Sequence, residues 1–214
     1  MHSSLRPLDE LPTDYAEFAK SLGLNDGLIL DDGWSTKVDL LKLVAAYVQS
    51  EKPQLIVECG SGLSTLVLAR CCQLNKTGRV VALENGYAFA EETKEACLKY
   101  GLKEYSKVVV APLEELELSG ESYEWYGLAR MPETAQIDML FIDGPPDFFH
   151  EQSRYPALPR LYQCLSDNAV IFLDGTARQK EKETVERWLR AYPDFSHEYV
   201  ANQRGCSILR RVSQ

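Results

Sequence analysis

Five short runs of apolar, largely β-branched residues recur along the chain. They restrict its fold more than any other feature. QLIVEC (54–59), RVVALE (79–84), KVVVA (107–111), IDMLFID (137–143) and AVIFLD (169–174) begin 25 to 32 residues apart. That interval holds one strand and one crossover helix, so the runs read as parallel strands. Their near-continuous hydrophobicity requires cover on both faces of the sheet. The expectation is one doubly wound α/β domain.

The intervening segments carry a helical period. Leu40, Leu43, Val44, Tyr47 and Val48 form one apolar face before the first strand, spaced as a helix demands. Residues 63–72 (LSTLVLARCC) follow the first strand, and Phe89, Ala96, Cys97 and Tyr100 share a face after the second. Leu158, Leu161, Tyr162 and Leu165 do so after the fourth, with Pro156 or Pro159 at the helix start. Val185, Trp188, Leu189 and Tyr192 complete the set after the fifth, and the charged run Lys180–Glu183 reads as its solvated start. Residues 112–136 are acidic and aromatic, and are expected to form a short helix plus loop. Residues 197–201 and 206–212, joined by a glycine-containing turn, read as an antiparallel hairpin that closes the sheet. Residues 1–33 are read as an N-terminal extension with a short helix at 13–22, and 34–214 as the main domain.

Charge narrows the partners. Lys and Arg number 23 against 32 Asp and Glu, a net charge of -9. Such a surface repels phosphate backbones, so nucleic acid is not the expected partner. No apolar run approaches the roughly 20 residues of a membrane helix, so no membrane partner is expected. The opening MHSSLRPLDELP lacks the apolar core of a signal peptide. The expectation is a cytoplasmic chain whose six cysteines are reduced and mostly buried. The sequence carries no signature of oligomeric state.

Chemistry concentrates at strand ends. The first strand runs into Glu58-Cys59-Gly60-Ser61-Gly62-Leu63-Ser64-Thr65. Glycines there let the backbone approach a ligand, and the following helix offers its N-terminus. Thr65 stands where a dinucleotide fingerprint wants a third small residue. The second strand ends in Glu84, followed by Asn85. A carboxylate there accepts hydrogen bonds from both ribose hydroxyls. A nucleoside site follows, and at this point an NAD-dependent oxidoreductase stays open beside other nucleoside chemistries.

The ordered set resembles a known family, the class I S-adenosylmethionine-dependent methyltransferases. Glu58-x-Gly60-x-Gly62 looks like their first motif, and Glu84 falls where their second places an acid. Ala111-Pro112-Leu113-Glu114 sits where the adenine-contacting third begins, and Asp143-Gly144-Pro145-Pro146 ends the fourth strand as their fourth does. The likeness extends to the small bacterial-type members that carry Gly-Ser-Gly-x-Ser-Thr and an Arg-Tyr-Pro-Ala-Leu run, here Arg154 to Leu158. It implies a Rossmann-like sheet of seven strands in order 3-2-1-4-5-7-6, S-adenosyl-L-methionine as cofactor, and a small-molecule acceptor with O-methylation slightly favoured.

The resemblance also implies roles. Glu58 orients the methionine end, and Gly60, Ser61, Gly62 and Thr65 pass beside it. Glu84 and Asn85 hold the ribose, Pro112 and Leu113 the adenine, and Trp34 and Ser35 cover the methionine. Asp143 is the catalytic candidate, as base or as cofactor contact. Asp143 and Asp174 end adjacent strands and would share a divalent metal in catechol-type O-methyltransferases. Those enzymes carry Asn after the second Asp, and this chain has Gly175, so no metal ligand is expected and a divalent ion stays the alternative. Weaker candidates are His150 as a base, Arg154 as an acceptor contact or ion-pair partner, and Tyr123, Trp125 and Tyr126 as walls of an acceptor pocket. The competing function from another class is a module that kept the fold and binds cofactor or partner without turnover.

Overall fold

The computed structural model describes residues 5–129, 136–148 and 151–212. Helices α1 (Thr13–Ser21) and α2 (Val38–Glu51) precede the first strand, β1 (Leu55–Cys59). Then come α3 (Leu63–Asn75), β2 (Arg79–Glu84), α4 (Tyr87–Lys99) and β3 (Ser106–Val110). A pair of strands follows, β4 (Leu113–Leu118) and β5 (Glu121–Tyr126), and then β6 (Ile137–Ile142). Helix α5 (Ala157–Leu161), β7 (Leu165–Asp174), α6 (Gln179–Ala191), β8 (Phe195–Val200) and β9 (Cys206–Arg211) complete the chain.

The main sheet has seven strands in the order β3-β2-β1-β6-β7-β9-β8. With β4 and β5 set aside, this is the expected 3-2-1-4-5-7-6. Strands β3, β2, β1, β6 and β7 pair in parallel. Strands β9 and β8 close the sheet antiparallel. The pleat explains the continuous hydrophobic runs, because alternate residues serve opposite faces. Ile56, Val80, Phe141 and Phe172 enter a core with α1, α2 and α3. Val57, Val81, Leu140 and Ile171 enter a second core under β5, α5 and α6. Leu11, Tyr15, Phe18 and Leu28 pack into the first of these cores, so the described part of the N-terminal segment shares it with the main domain. Among the described residues, no helix is long and apolar enough to cross a membrane. All six thiols are free, and five are buried.

Several expectations are corrected. Within 112–136 the described residues form an antiparallel hairpin, β4 with β5, instead of a short helix. Its two-residue turn is Ser119-Gly120, both at positive φ (55° and 81°), the geometry that matches strand twist. Leu116, Leu118, Tyr123 and Trp125 alternate with glutamates, and that period of two outweighs the helix-like acidity. Residues 130–135 lie outside the described residues. The helix after β6 stops at Leu161, because Leu165 is drawn into β7 opposite Ile137. Phe89 does not share the buried face of α4; Ala90, Thr93, Ala96 and Cys97 fill it, and Phe89 is exposed. Glu181 is buried instead of solvated, with Arg178 Nη2 at 2.6 Å.

Candidate active site

The site is built where β1 stops. Gly60 and Gly62 have φ of 103° and 137°, a region that a side chain makes costly. The chain therefore turns sharply over the sheet edge before α3 begins. Gly60 N–H donates to Leu83 O at 2.8 Å, and Asp143 N–H donates to Cys59 O at 3.1 Å. These bonds draw the ends of β2, β1 and β6 together around one cavity of about 380 Å³.

Thr65 has a different part from the expected cofactor contact. Its side chain is wholly buried behind the turn and does not line the cavity. Gly62 N–H donates to Thr65 Oγ1 at 3.1 Å, and the Thr65 hydroxyl donates to Glu58 Oε2 at 2.6 Å. Ser64 Oγ donates to Glu58 Oε1. Two hydroxyls of the first helical turn thus hold Glu58 from behind. Burial dominates this carboxyl and pushes its pKa from 4.5 to about 8, against the pull of both hydroxyls; Asp143 and Glu84 push the same way as burial.

Glu84 is held by a second set. Its Oε2 accepts from Ser61 Oγ at 2.9 Å, and its Oε1 accepts from Gly86 N–H at 2.8 Å. Burial raises its pKa, and these bonds oppose the shift. The carboxyl is fixed at the end of β2 facing the cavity, and Asn85 beside it lines the same wall.

Asp143 stands at the opposite wall. Its Oδ2 accepts from Thr36 Oγ1 at 2.9 Å. Its Oδ1 lies 3.2 Å from Arg154 Nη2. Arg154 is buried and donates to two main-chain carbonyls as well, Asp143 O at 2.6 Å and Asp174 O at 2.8 Å. It is an internal clamp on β6 and β7, and does not line the cavity. Asp174 is buried beside Asp143. Desolvation, then the Asp143 charge, raise its pKa.

Of the residues expected at the cofactor, Trp34, Ser35, Glu58, Gly60, Ser61, Gly62, Glu84, Asn85 and Asp143 line this cavity, and Thr65, Pro112 and Leu113 do not. Pro112 and Leu113 anchor the hairpin: Leu113 pairs with Tyr126, and Gly127 N–H donates to Pro112 O at 3.0 Å. That pairing brings Tyr126 to the cavity wall, while Tyr123 and Trp125 are core residues. Thr36, Glu92 and Phe148 also line the cavity without having been expected there, and so does Phe89, which was read onto the buried face of α4. Trp34 and Phe148 are exposed and meet edge to face, with ring centroids 6.2 Å apart. His150 lies outside the described residues.

Strand order, antiparallel closure and a glycine turn facing an acidic strand end together define the class I methyltransferase fold. The methyltransferase-domain family matches residues 57–176, more than half of the chain, and the chain belongs to it. No protein of curated function matches the sequence. Solved structures match its fold. A methyltransferase from Geobacter sulfurreducens aligns with TM-score 0.64 and 20% identity, over 95% of this chain and 90% of that one. The O-methyltransferase TomG of Streptomyces achromogenes, of tomaymycin synthesis and solved with S-adenosylmethionine, aligns with TM-score 0.65 and 18% identity, over 94% and 89%. An O-methyltransferase from Bacillus cereus, in complex with S-adenosylhomocysteine, aligns with TM-score 0.64 and 18% identity, over 95% and 92%.

Proposed function

We propose that this methyltransferase moves the methyl group of S-adenosylmethionine to a hydroxyl of a small-molecule acceptor. The observation that carries this reading is the single cavity running from Glu84, past Gly60–Gly62, to Asp143. Its walls fit the cofactor: a carboxyl for ribose hydroxyls at one end, a glycine turn for close approach, and a buried carboxyl for an ammonium. When bound, the cofactor supplies an electrophilic methyl on a sulfonium with a thioether leaving group. The chain's own residues orient, enclose and accept a proton. Glu84 holds the ribose, Glu58 the ammonium, and Trp34 and Phe148 cover the mouth. Asp143 takes the acceptor's proton, because it lines the cavity and Asp174 does not.

A divalent metal does not fit this arrangement. Asp143 Oδ1 faces Arg154 at 3.2 Å, and Asp174 Oδ2 faces Arg204 at 3.8 Å. Gly175, after Asp174, has φ of 78° and offers no ligand, and a Cβ there would strike the Arg178 guanidinium. An ion would have to compete with guanidinium groups for both carboxyls, so no step is routed through one.

Calorimetric titration tests the reading, with S-adenosylmethionine and NAD as alternative ligands. Micromolar binding of the first alone is expected. Binding of NAD alone would overturn it. In the same assay Glu84→Gln is expected to weaken S-adenosylmethionine about 10- to 100-fold, the usual worth of hydrogen bonds to a charged acceptor. Unchanged affinity would place the ribose elsewhere.

Binding is also expected to release a proton. Free Glu58, with its pKa near 8, is protonated at neutral pH, whereas holding an ammonium requires the carboxylate. Affinity should therefore tighten as pH rises from about 6 and level off above about 8. Over the window from 4.5 to about 8 the unfolded chain binds fewer protons at this group, so the free protein loses stability as pH rises. Titrations in two buffers of different ionisation enthalpy count the protons. A count of zero with pH-independent affinity would remove Glu58 as the ammonium partner.

A further inference from the structure

Among the described residues, several buried polar atoms lack a hydrogen-bond partner: Trp125 Nε1, Tyr126 Oη, Arg154 Nε, Thr176 Oγ1 and a few others. Tyr126 alone of these residues lines the cavity. A buried hydroxyl without a partner is costly, so natural proteins rarely keep one without a use. The geometry around it looks prepared. Tyr126 ends β5, its side chain fully buried, with its ring edge-on to Trp125 at 5.5 Å. The hydroxyl reaches the strand ends beside Gly144, where a Cβ would collide with it and crowd Cys59 O. Glycine at that position is what gives the phenol its place.

We infer that the Tyr126 hydroxyl donates a hydrogen bond to the nucleoside half of the bound cofactor, to a ring nitrogen or ribose oxygen. The inference rests on the S-adenosylmethionine reading above. The hydroxyl stays protonated, because burial and the neighbouring Cys59 and Glu84 all oppose its ionisation, so it enters as a donor. Its partner is on the nucleoside side because Tyr126 pairs with Leu113, just beyond β3, and β3 is the neighbour of β2, which ends in Glu84. Tyr126, Glu84 and Gly144 line the same cavity, and the donor serves the acceptor atom that lies against it.

Tyr126→Phe separates this role from a structural one, because the free protein loses no hydrogen bond when the hydroxyl goes. The melting temperature of the ligand-free variant is expected to equal or exceed that of the wild type. Its dissociation constants for S-adenosylmethionine and for methylthioadenosine, which lacks the amino-acid end, are expected to rise together, by about 5- to 20-fold. Unchanged affinity for both would overturn the inference. So would a penalty confined to S-adenosylmethionine, which would move the contact to the methionine half. A fall in melting temperature alongside weaker binding would make Tyr126 a packing residue only. Failure of the wild type to bind either ligand would remove the underlying reading, and the inference with it.

Discussion

Asp143→Asn is expected to lower turnover about 100- to 10,000-fold, the usual contribution of a positioned general base, and to lower stability as well, because Arg154 is left without its buried counter-charge, while cofactor affinity stays near that of the wild type. Asn has the size of Asp, and its amide oxygen still accepts from the Thr36 hydroxyl that now lies 2.9 Å from Oδ2. Arg154 keeps its two main-chain acceptors, Asp143 O and Asp174 O. What disappears is the ability to take a proton. Asp174 cannot replace it, being buried at 2% exposure and absent from the cavity wall. Asp174→Asn leaves the cavity wall unchanged, so that variant should retain most of its turnover. Single-turnover rates for both variants, with the cofactor dissociation constant measured separately, provide the check. Asp143→Asn within tenfold of the wild-type rate would end the case for Asp143 as base. A loss of cofactor affinity with the chemical rate intact would make it a binding group.

The sheet and the glycine turn could be read from the chain because both are local. Runs such as Met139–Ile142 are apolar throughout since both faces of a central strand are covered. Gly60 and Gly62 stand where positive φ is needed. Glu84 was legible by its spacing from them. The hairpin was less so. Its alternating Leu116, Leu118, Tyr123 and Trp125 are diluted by Glu114, Glu115, Glu117 and Glu124, which suit a helix as well as an edge strand. Missing it meant missing what it positions, and Tyr126 appeared as one of three aromatics without a rank. Phe89 was misplaced for a related reason. Its helical spacing fits the core face of α4, yet it sits in the first turn and projects to the cavity mouth. Thr36 was beyond local reading altogether, and Arg154, legible as an ion-pair partner, could not be matched to its carboxyl. Their partner Asp143 lies 107 and 11 residues away, and pairing at that range depends on the finished topology.

Arg154→Met is expected to cost about 3–5 kcal/mol of stability, the usual penalty for stripping one member from a buried charged pair. For a chain of this size that is a fall of about 6–20 °C in melting temperature. The guanidinium is buried, and three acceptors converge on it: the Asp143 carboxyl at 3.2 Å and the Asp143 and Asp174 carbonyls at 2.6 and 2.8 Å. Methionine fills most of the volume but supplies no donor, so two strand-end carbonyls and a carboxylate lose their partner together. Lysine restores the charge without the fork. One ammonium reaches fewer of the three acceptors, and Arg154→Lys should fall between wild type and Met. Thermal melts of all three proteins give the comparison. A Met variant melting within about 2 °C of the wild type would show that the clamp does not hold β6 to β7. The consequence reaches the chemistry, because these strand ends carry Asp143 and Asp174. Single-turnover methyl transfer by Arg154→Lys should therefore fall below the wild-type rate, and a rate unmoved by the substitution would confine Arg154 to a structural part.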